Sequence, residues 1–310
     1  MKKTLLTICL VWMCFSLSAQ KIIDLSGKWS FSIDRQDNGE KEKWFSHTLN
    51  DFINLPGSMP EKLKGDEVTA KTQWTGSLYD SSYYYNPYME KYRKEGNIKF
   101  PFFLTPDKHY VGAAWYQKEV NIPADWKGER ILLFLERPHI ETTVWVNGQK
   151  TGMQNSLCVP HQYDITRYVR PGKCTITIRV DNRIKEINVG PDSHSITDQT
   201  QGNWNGIVGR ICLQTTPKTY FDDIQIYPEP EQKLARVKVV IKGTGTAKVK
   251  LSAESFNTDK KHIVPAIQQE IKLNKGVTET EMVLPMGNDM LLWDEFHPAL
   301  YKLQAEVTNG

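Results

Sequence analysis

Residues 141–148 run Glu141-Thr142-Thr143-Val144-Trp145-Val146-Asn147-Gly148. After the glutamate, five β-branched or aromatic residues suit a pleated, half-buried strand. Asn147-Gly148 then predicts a two-residue hairpin turn, because both residues tolerate positive φ. Gln149 to Met153 is the expected return strand. Ile131 to Leu135 is an unbroken apolar run, as expected of a strand buried on both faces. Cys174-Thr175-Ile176-Thr177-Ile178-Arg179-Val180 alternates, which puts Cys174, Ile176 and Ile178 on one core face. Pro171-Gly172 marks the turn before it. Helical periodicity is scarce. Short strands separated by frequent turn signals predict an all-β chain built as a sandwich or jelly roll.

A boundary is expected near Thr216-Pro217-Lys218. Beyond it, Phe221 to Tyr227 opens a second strand series. Lys233 to Lys242, Thr246 to Ser255, His262 to Leu273 and Thr278 to Leu284 follow at the spacing of an immunoglobulin-like sandwich. Asn257 to Lys261 and Asn274-Lys275-Gly276 read as polar connectors between them. Tyr301 to Val307 alternates again, and Thr308-Asn309-Gly310 reads as a turn. The expected division is therefore a jelly roll over 20–217 and an incomplete immunoglobulin-like sandwich over 218–310.

The first 19 residues read as an export signal. Lys2 and Lys3 precede an apolar run from Thr4 to Leu17, and Ser18-Ala19 supplies small residues for cleavage. The run is too short to span a membrane, which takes about 20 apolar residues. An exported protein, periplasmic or secreted, is the expectation. Without Lys2 and Lys3 the chain carries 37 basic and 36 acidic residues, a net charge of +1. No basic block stands out, which argues against a nucleic-acid partner. Cys158, Cys174 and Cys212 remain after cleavage, an odd number that argues against a complete disulfide framework. No cysteine pair has metal-ligand spacing, and the seven histidines are scattered. No metal or other cofactor is expected.

Gln73 to Phe103 differs in character. Trp74, Tyr79, Tyr83, Tyr84, Tyr85, Tyr88, Tyr92, Phe100, Phe102 and Phe103 lie among Gly, Ser, Asn and Pro. That is too aromatic for a disordered linker and reads as a long ordered loop, a type that often carries function. Tyr83-Tyr84-Tyr85 reads as a cap on the sandwich, with a sugar platform as the alternative.

Several landmarks occur in a telling order. Asp24 to Trp29, Leu55-Pro56-Gly57, Gly112 to Lys118, Val144 to Gly148, Tyr163 to Thr166, Val180 to Arg183 and Gly202 to Arg210 are followed by Leu292-Trp293-Asp294-Glu295-Phe296-His297-Pro298-Ala299-Leu300-Tyr301. Together they resemble the first two domains of glycoside hydrolase family 2, the β-galactosidase-like enzymes. The resemblance implies a galactose-binding-like jelly roll called the sugar-binding domain, then an immunoglobulin-like domain. It also implies a β-linked glycan or oligosaccharide as partner. Catalysis in such enzymes uses two carboxylates about 5 Å apart on a following (β/α)8 barrel, which needs roughly 250 residues. No catalytic residue is therefore expected within these 310 residues. The chain is expected to be inactive without a barrel encoded downstream. Alternatives are a free-standing carbohydrate-binding or adhesion module, and an inactive truncated product. A sheet edge left open after Val307 would allow a homo-oligomer.

The resemblance implies two sugar-facing loops. One places Asn97 and Ile98 ahead of Phe100-Pro101. The Asn amide can both donate to and accept from hydroxyls, while an Asn in a turn beside Gly96 is the alternative. The other loop offers Asp198, where the family carries a second acid that corresponds to Thr200 here. Trp204 would stack on the apolar face of a sugar ring, and rim packing is its alternative. His194 lies in Asp192-Ser193-His194-Ser195, but the chain has no Gly-x-Ser-x-Gly elbow. Asp222-Asp223 and Asp294-Glu295 would point to opposite sides of a strand and read as solvated charge.

Overall fold

The structure is a computed structural model that describes residues 21–76, 80–185, 190, 192–194 and 196–309. The stretch expected to be an export signal lies outside the described residues, as do Tyr79 and Ser195. The chain divides into two compact units at Thr215/Thr216.

The first unit is all-β. Its strands are β1 (Ile22–Asp24), β2 (Gly27–Asp34), β3 (Asp51–Leu55), β4 (Gly57–Ser58), β5 (Asp66–Glu67), β6 (Lys108–His109), β7 (Ala113–Ile122), β8 (Arg130–His139), β9 (Glu141–Val146), β10 (Gln149–Asn155), β11 (His161–Asp164), β12 (Gly172–Asp181) and β13 (Gly206–Thr216). One sheet runs β10-β9-β12-β7-β2-β3, the other β1-β13-β8-β11 with β4 on β13. Period-two patterning builds the core between them. Cys174, Ile176, Ile178 and Val180 of β12 meet Leu133 and Leu135 of β8 and Ile211 and Leu213 of β13. The hairpin forms as the sequence dictates: Gln149 pairs with Val146, and Asn147 and Gly148 both take positive φ. Burial pushes the Cys174 thiol up to about 11, so it is a core residue without thiolate chemistry at neutral pH. On the other face of the larger sheet, Trp115 and Trp145 are covered by Leu49, Trp44 and Phe45.

At the end of β12 lies a buried ion network. Asp181 is fully buried and accepts from Arg179 at 3.0 Å, Arg183 at 2.6 Å and Lys185 at 2.8 Å. Asp37 pairs with both arginines at 2.6 Å, and Glu141 pairs with Lys185 at 2.9 Å. Burial works against the Asp181 charge, but hydrogen bonds from Arg183 and Lys185 outweigh it and hold the carboxyl well below the usual range.

The second unit has four strands: β14 (Tyr220–Glu229), β15 (Leu234–Phe256), β16 (Ile263–Pro285) and β17 (Leu300–Asn309). The sequence predicts four separate strands over 233–284. The structure instead has two strands of 23 residues each. Asn274-Lys275-Gly276 is not a connector but lies within β16. The reason is glycine: Gly243 pairs with Gly276, and the register shifts between Gly243 and Gly245. Gly245 and Gly276 take positive φ there, which bends the ladder without ending it. β14 pairs with the first half of β15 and β17 with the second. Val237, Val239 and Ile241 then share a core with Ala247, Val249 and Leu251. The 292–301 segment forms a tight turn, in which Asp294 accepts from the backbone of Phe296 and His297. It leaves Trp293 and Phe296 exposed.

Replacing Asp181 removes the only fully buried anion of the network. Asp181→Asn should destabilise the first unit by about 3 kcal/mol, at the low end for a broken buried pair because Asp37 and Glu141 still offset the cations. Its folded pKa is depressed, so this contribution is present above pH 3.8 and is lost as the pH falls below that. Urea unfolding of parent and variant at pH 7 measures the loss. A difference under about 1 kcal/mol would show that the network is ordinary solvated charge.

Candidate functional site

Four candidate residues were marked by sequence, and three of them meet on one concavity of the first unit. Its volume is about 680 Å³, and Ile98, Phe100, Phe103, Asp198, Asn203 and Trp204 are among its lining residues. Asn97 is not. Its amide donates to the Lys91 carbonyl at 2.7 Å, and its own N–H donates to the Lys94 carbonyl at 3.0 Å. Asn97 therefore closes a local turn. Ile98 is half-buried, packing on the Tyr83, Phe100 and Phe103 cluster while lining the concavity.

Asp198 holds the walls together. It is 1% exposed. One carboxylate oxygen accepts from the Thr75 N–H and the other from the Asn203 N–H, each at 2.6 Å. Its own N–H donates to the Thr75 carbonyl at 3.0 Å, and its carbonyl accepts from Leu104 N–H at 2.9 Å. Three separate segments thus converge on one residue. Both oxygens are committed to backbone, which makes Asp198 a positioning group. Nε2 of His109 lies 3.8 Å from the carboxylate, too far for a hydrogen bond, and Trp74 packs on the His109 ring at 4.8 Å.

Trp204 is held by its neighbours. Asn203 and Asn205 are buried and point inward. Asn205 donates to the Gly112 and Val180 carbonyls at 2.9 and 3.0 Å and accepts from the Tyr116 hydroxyl at 2.8 Å. Asn203 donates to the Asn182 carbonyl at 3.0 Å and accepts from the Asn182 amide at 3.1 Å. Asn182 in turn accepts from Gly112 N–H and donates to the Tyr110 carbonyl. Gly206 must be glycine, since a Cβ there would sit 2.5 Å from the Gly57 carbonyl oxygen. With both flanking side chains turned in, the half-buried Trp204 turns out. Its ring stacks on His139 at 4.5 Å between centroids, with 20° between planes.

Burial holds the His139 pKa down to about 4, with Asn203 only partly opposing it. The platform under Trp204 is therefore a neutral imidazole at physiological pH. His139, Asn182, Asn203 and Asn205 are the site residues that the sequence does not single out. The available signal is the Asn-Trp-Asn pattern directly before Gly206. Among the described residues no group of three or more His, Cys, Asp or Glu could hold a metal ion.

The profile described as "Glycosyl hydrolases family 2, sugar binding domain" matches residues 22–217, and that of "Glycosyl hydrolases family 2" matches 219–310. The chain belongs to glycosyl hydrolase family 2. Human beta-glucuronidase is 24% identical over 92% of this chain and 41% of its own length. A Thermoanaerobacter pseudethanolicus beta-galactosidase is 23% identical over 68% of this chain and 28% of its own. A beta-glucuronidase structure from Ruminococcus gnavus superposes with a TM-score of 0.60 at 18% identity, covering 94% of this chain and 43% of that one. At that identity the likeness is one of fold. The chain spans about two-fifths of the length of the glucuronidases it matches.

The His139 shift predicts a pH effect of definite sign. Its folded pKa lies below the unfolded 6.5, so the folded state resists the proton. No cost exists above pH 6.5, and one grows as the pH falls towards 4. A His139→Phe variant keeps a ring under Trp204 and removes the titration. Between pH 7 and pH 4 the parent should lose about 3 kcal/mol more unfolding free energy than the variant. His161, whose pKa burial also lowers, is common to both proteins and cancels. Parallel stability curves would contradict the assignment.

Proposed function

We propose that this chain supplies the non-catalytic sugar-binding portion of an exported family 2 glycosidase acting on β-linked glycans. The observation that carries the reading is Trp204. It is an aromatic ring turned outward by two buried asparagines, backed by a flat neutral ring, and facing a concavity with apolar walls. A pyranose offers a C–H face to such a ring. Relatives named as beta-glucuronidase and beta-galactosidase make β-glucuronides and β-galactosides the ligands to try first. Trp204 and Ile98 are the contact residues in this reading, and Asp198 acts through the loops it ties.

Hydrolysis is not assigned to this concavity. Retaining chemistry needs two free carboxylates about 5 Å apart. The carboxylates among its lining residues are Asp107 and Asp198, and both oxygens of Asp198 are taken by backbone. The remaining contacts of a bound sugar would come from a barrel domain.

A partly enclosed ligand gains little. The chain should bind methyl β-glucuronide or methyl β-galactoside with a millimolar dissociation constant, about −4 kcal/mol. Trp204→Ala should weaken that by about fivefold. Saturation-transfer NMR measures both. The same chain should release no chromophore from nitrophenyl β-glycosides. Micromolar binding would instead favour a free-standing binding module, and turnover lost with a carboxylate of this chain would overturn the non-catalytic assignment.

A further inference from the structure

The aromatic insert has a second face that the concavity does not use. Asp80 precedes the short helix α1 (Ser82–Tyr85) and accepts from the Ser82 N–H at 2.9 Å and its hydroxyl at 2.8 Å. Asn86 begins the next turn by accepting from the Tyr88 N–H at 3.0 Å. Within these two turns the tyrosines divide. Tyr83 is fully buried, stacks on Phe100 at 4.6 Å and donates its hydroxyl to the Tyr92 carbonyl at 2.9 Å. Tyr85 and Tyr88 face outward, 72% and 86% exposed. Sequence alone reads Tyr83-Tyr84-Tyr85 as a cap on the sandwich, with a sugar platform as the alternative. The structure divides the run: Tyr83 is buried with Phe100 and Phe103, and its neighbours lie on the surface.

Two large rings held in water give up the burial that an aromatic side chain ordinarily gains. An amphipathic ring with a polar tip suits a partner that is itself apolar on one face and hydroxylated at its edge. An extended glycan has that character. Continuity points the same way: Phe100 lines the sugar-facing concavity with one side and packs on Tyr83 with the other. One small aromatic core therefore forms a wall of the concavity and holds Tyr83 and Met89, which lie in the same two turns as Tyr85 and Tyr88.

We propose that Tyr85 and Tyr88 form a second carbohydrate-contact surface, which holds further pyranose units of a β-linked polysaccharide outside the concavity. The choice of a glycan rests on the proposed function of the concavity, but the surface is testable separately. The probes are soluble β-1,4-galactan, which is neutral, and hyaluronan, which carries glucuronate. Affinity electrophoresis in gels containing each polymer compares the full chain, a Tyr85→Ala/Tyr88→Ala double variant and Trp204→Ala. Both tyrosines are exposed, so the double variant should keep the parent's unfolding curve.

The parent should be retarded by at least one polymer, and the double variant should show an apparent dissociation constant about tenfold higher. Its millimolar binding of the methyl glycoside should not change. If the double variant is retarded like the parent, or if neither polymer retards the parent, the surface is not a glycan site. Loss of polymer binding in Trp204→Ala alone overturns this inference and leaves the concavity assignment intact. Loss in the double variant alone supports the surface and counts against the concavity.

Discussion

The first unit depends on how backbone carbonyls and amides are satisfied where its strands end. A β-sandwich leaves unpaired polar groups at its rim, and burying them without partners costs about 1–3 kcal/mol each. Here Asn182, Asn203 and Asn205 meet that demand. Between them they bond Tyr110, Gly112, Tyr116 and Val180, and Asn182 and Asn203 also bond each other. Asp198 extends the same network to Thr75 and Leu104. Once these contacts form, little freedom remains in the 203–206 turn. The outward position of Trp204 follows from the inward positions of its neighbours.

That arrangement shows how a fold positions a site with very few dedicated residues. The groups that do the holding are buried and saturated. In the proposed reading the groups left to meet a ligand are the stacked Trp204 and the apolar wall around Ile98, Phe100 and Phe103. A neutral His139 fits this division. A charged imidazole beneath the indole would have to be buried without an anion beside it, which is costly. Arg179, Asp181, Arg183 and Lys185 of the ion network flank Asn182, so charge pairing and amide bonding secure the same strand end.

Much of the architecture was legible in the sequence because period-two patterning and turn chemistry are local. The Asn147-Gly148 hairpin, the fully buried Ile131–Leu135 run and the Cys174 face needed nothing else. The second unit was harder to read. Gly243, Gly245 and Gly276 carry the same local signal whether they end a strand or bend it, and only the pairing of β15 with β16 decides. At the site, type and position separated. Asp198 and Trp204 stood out as residues, but an acid that binds ligand and an acid that ties loops are identical in sequence. Asn97 differs for the same reason, since a turn amide and a ligand amide are one chemical group. The asparagine lattice was not legible because its partners lie 21 to 128 positions apart.

In the proposed reading Trp204 is a sugar platform held by the asparagine lattice. The indole N–H resonance of Trp204, assigned by substitution and followed while methyl β-glucuronide or methyl β-galactoside is titrated into the labelled protein, tests it most directly. The account predicts a saturable shift of that resonance together with the Ile98 methyls, while the side-chain amides of Asn203 and Asn205 stay in place. A Trp204 resonance that does not move while others in the first unit shift with sugar would contradict it.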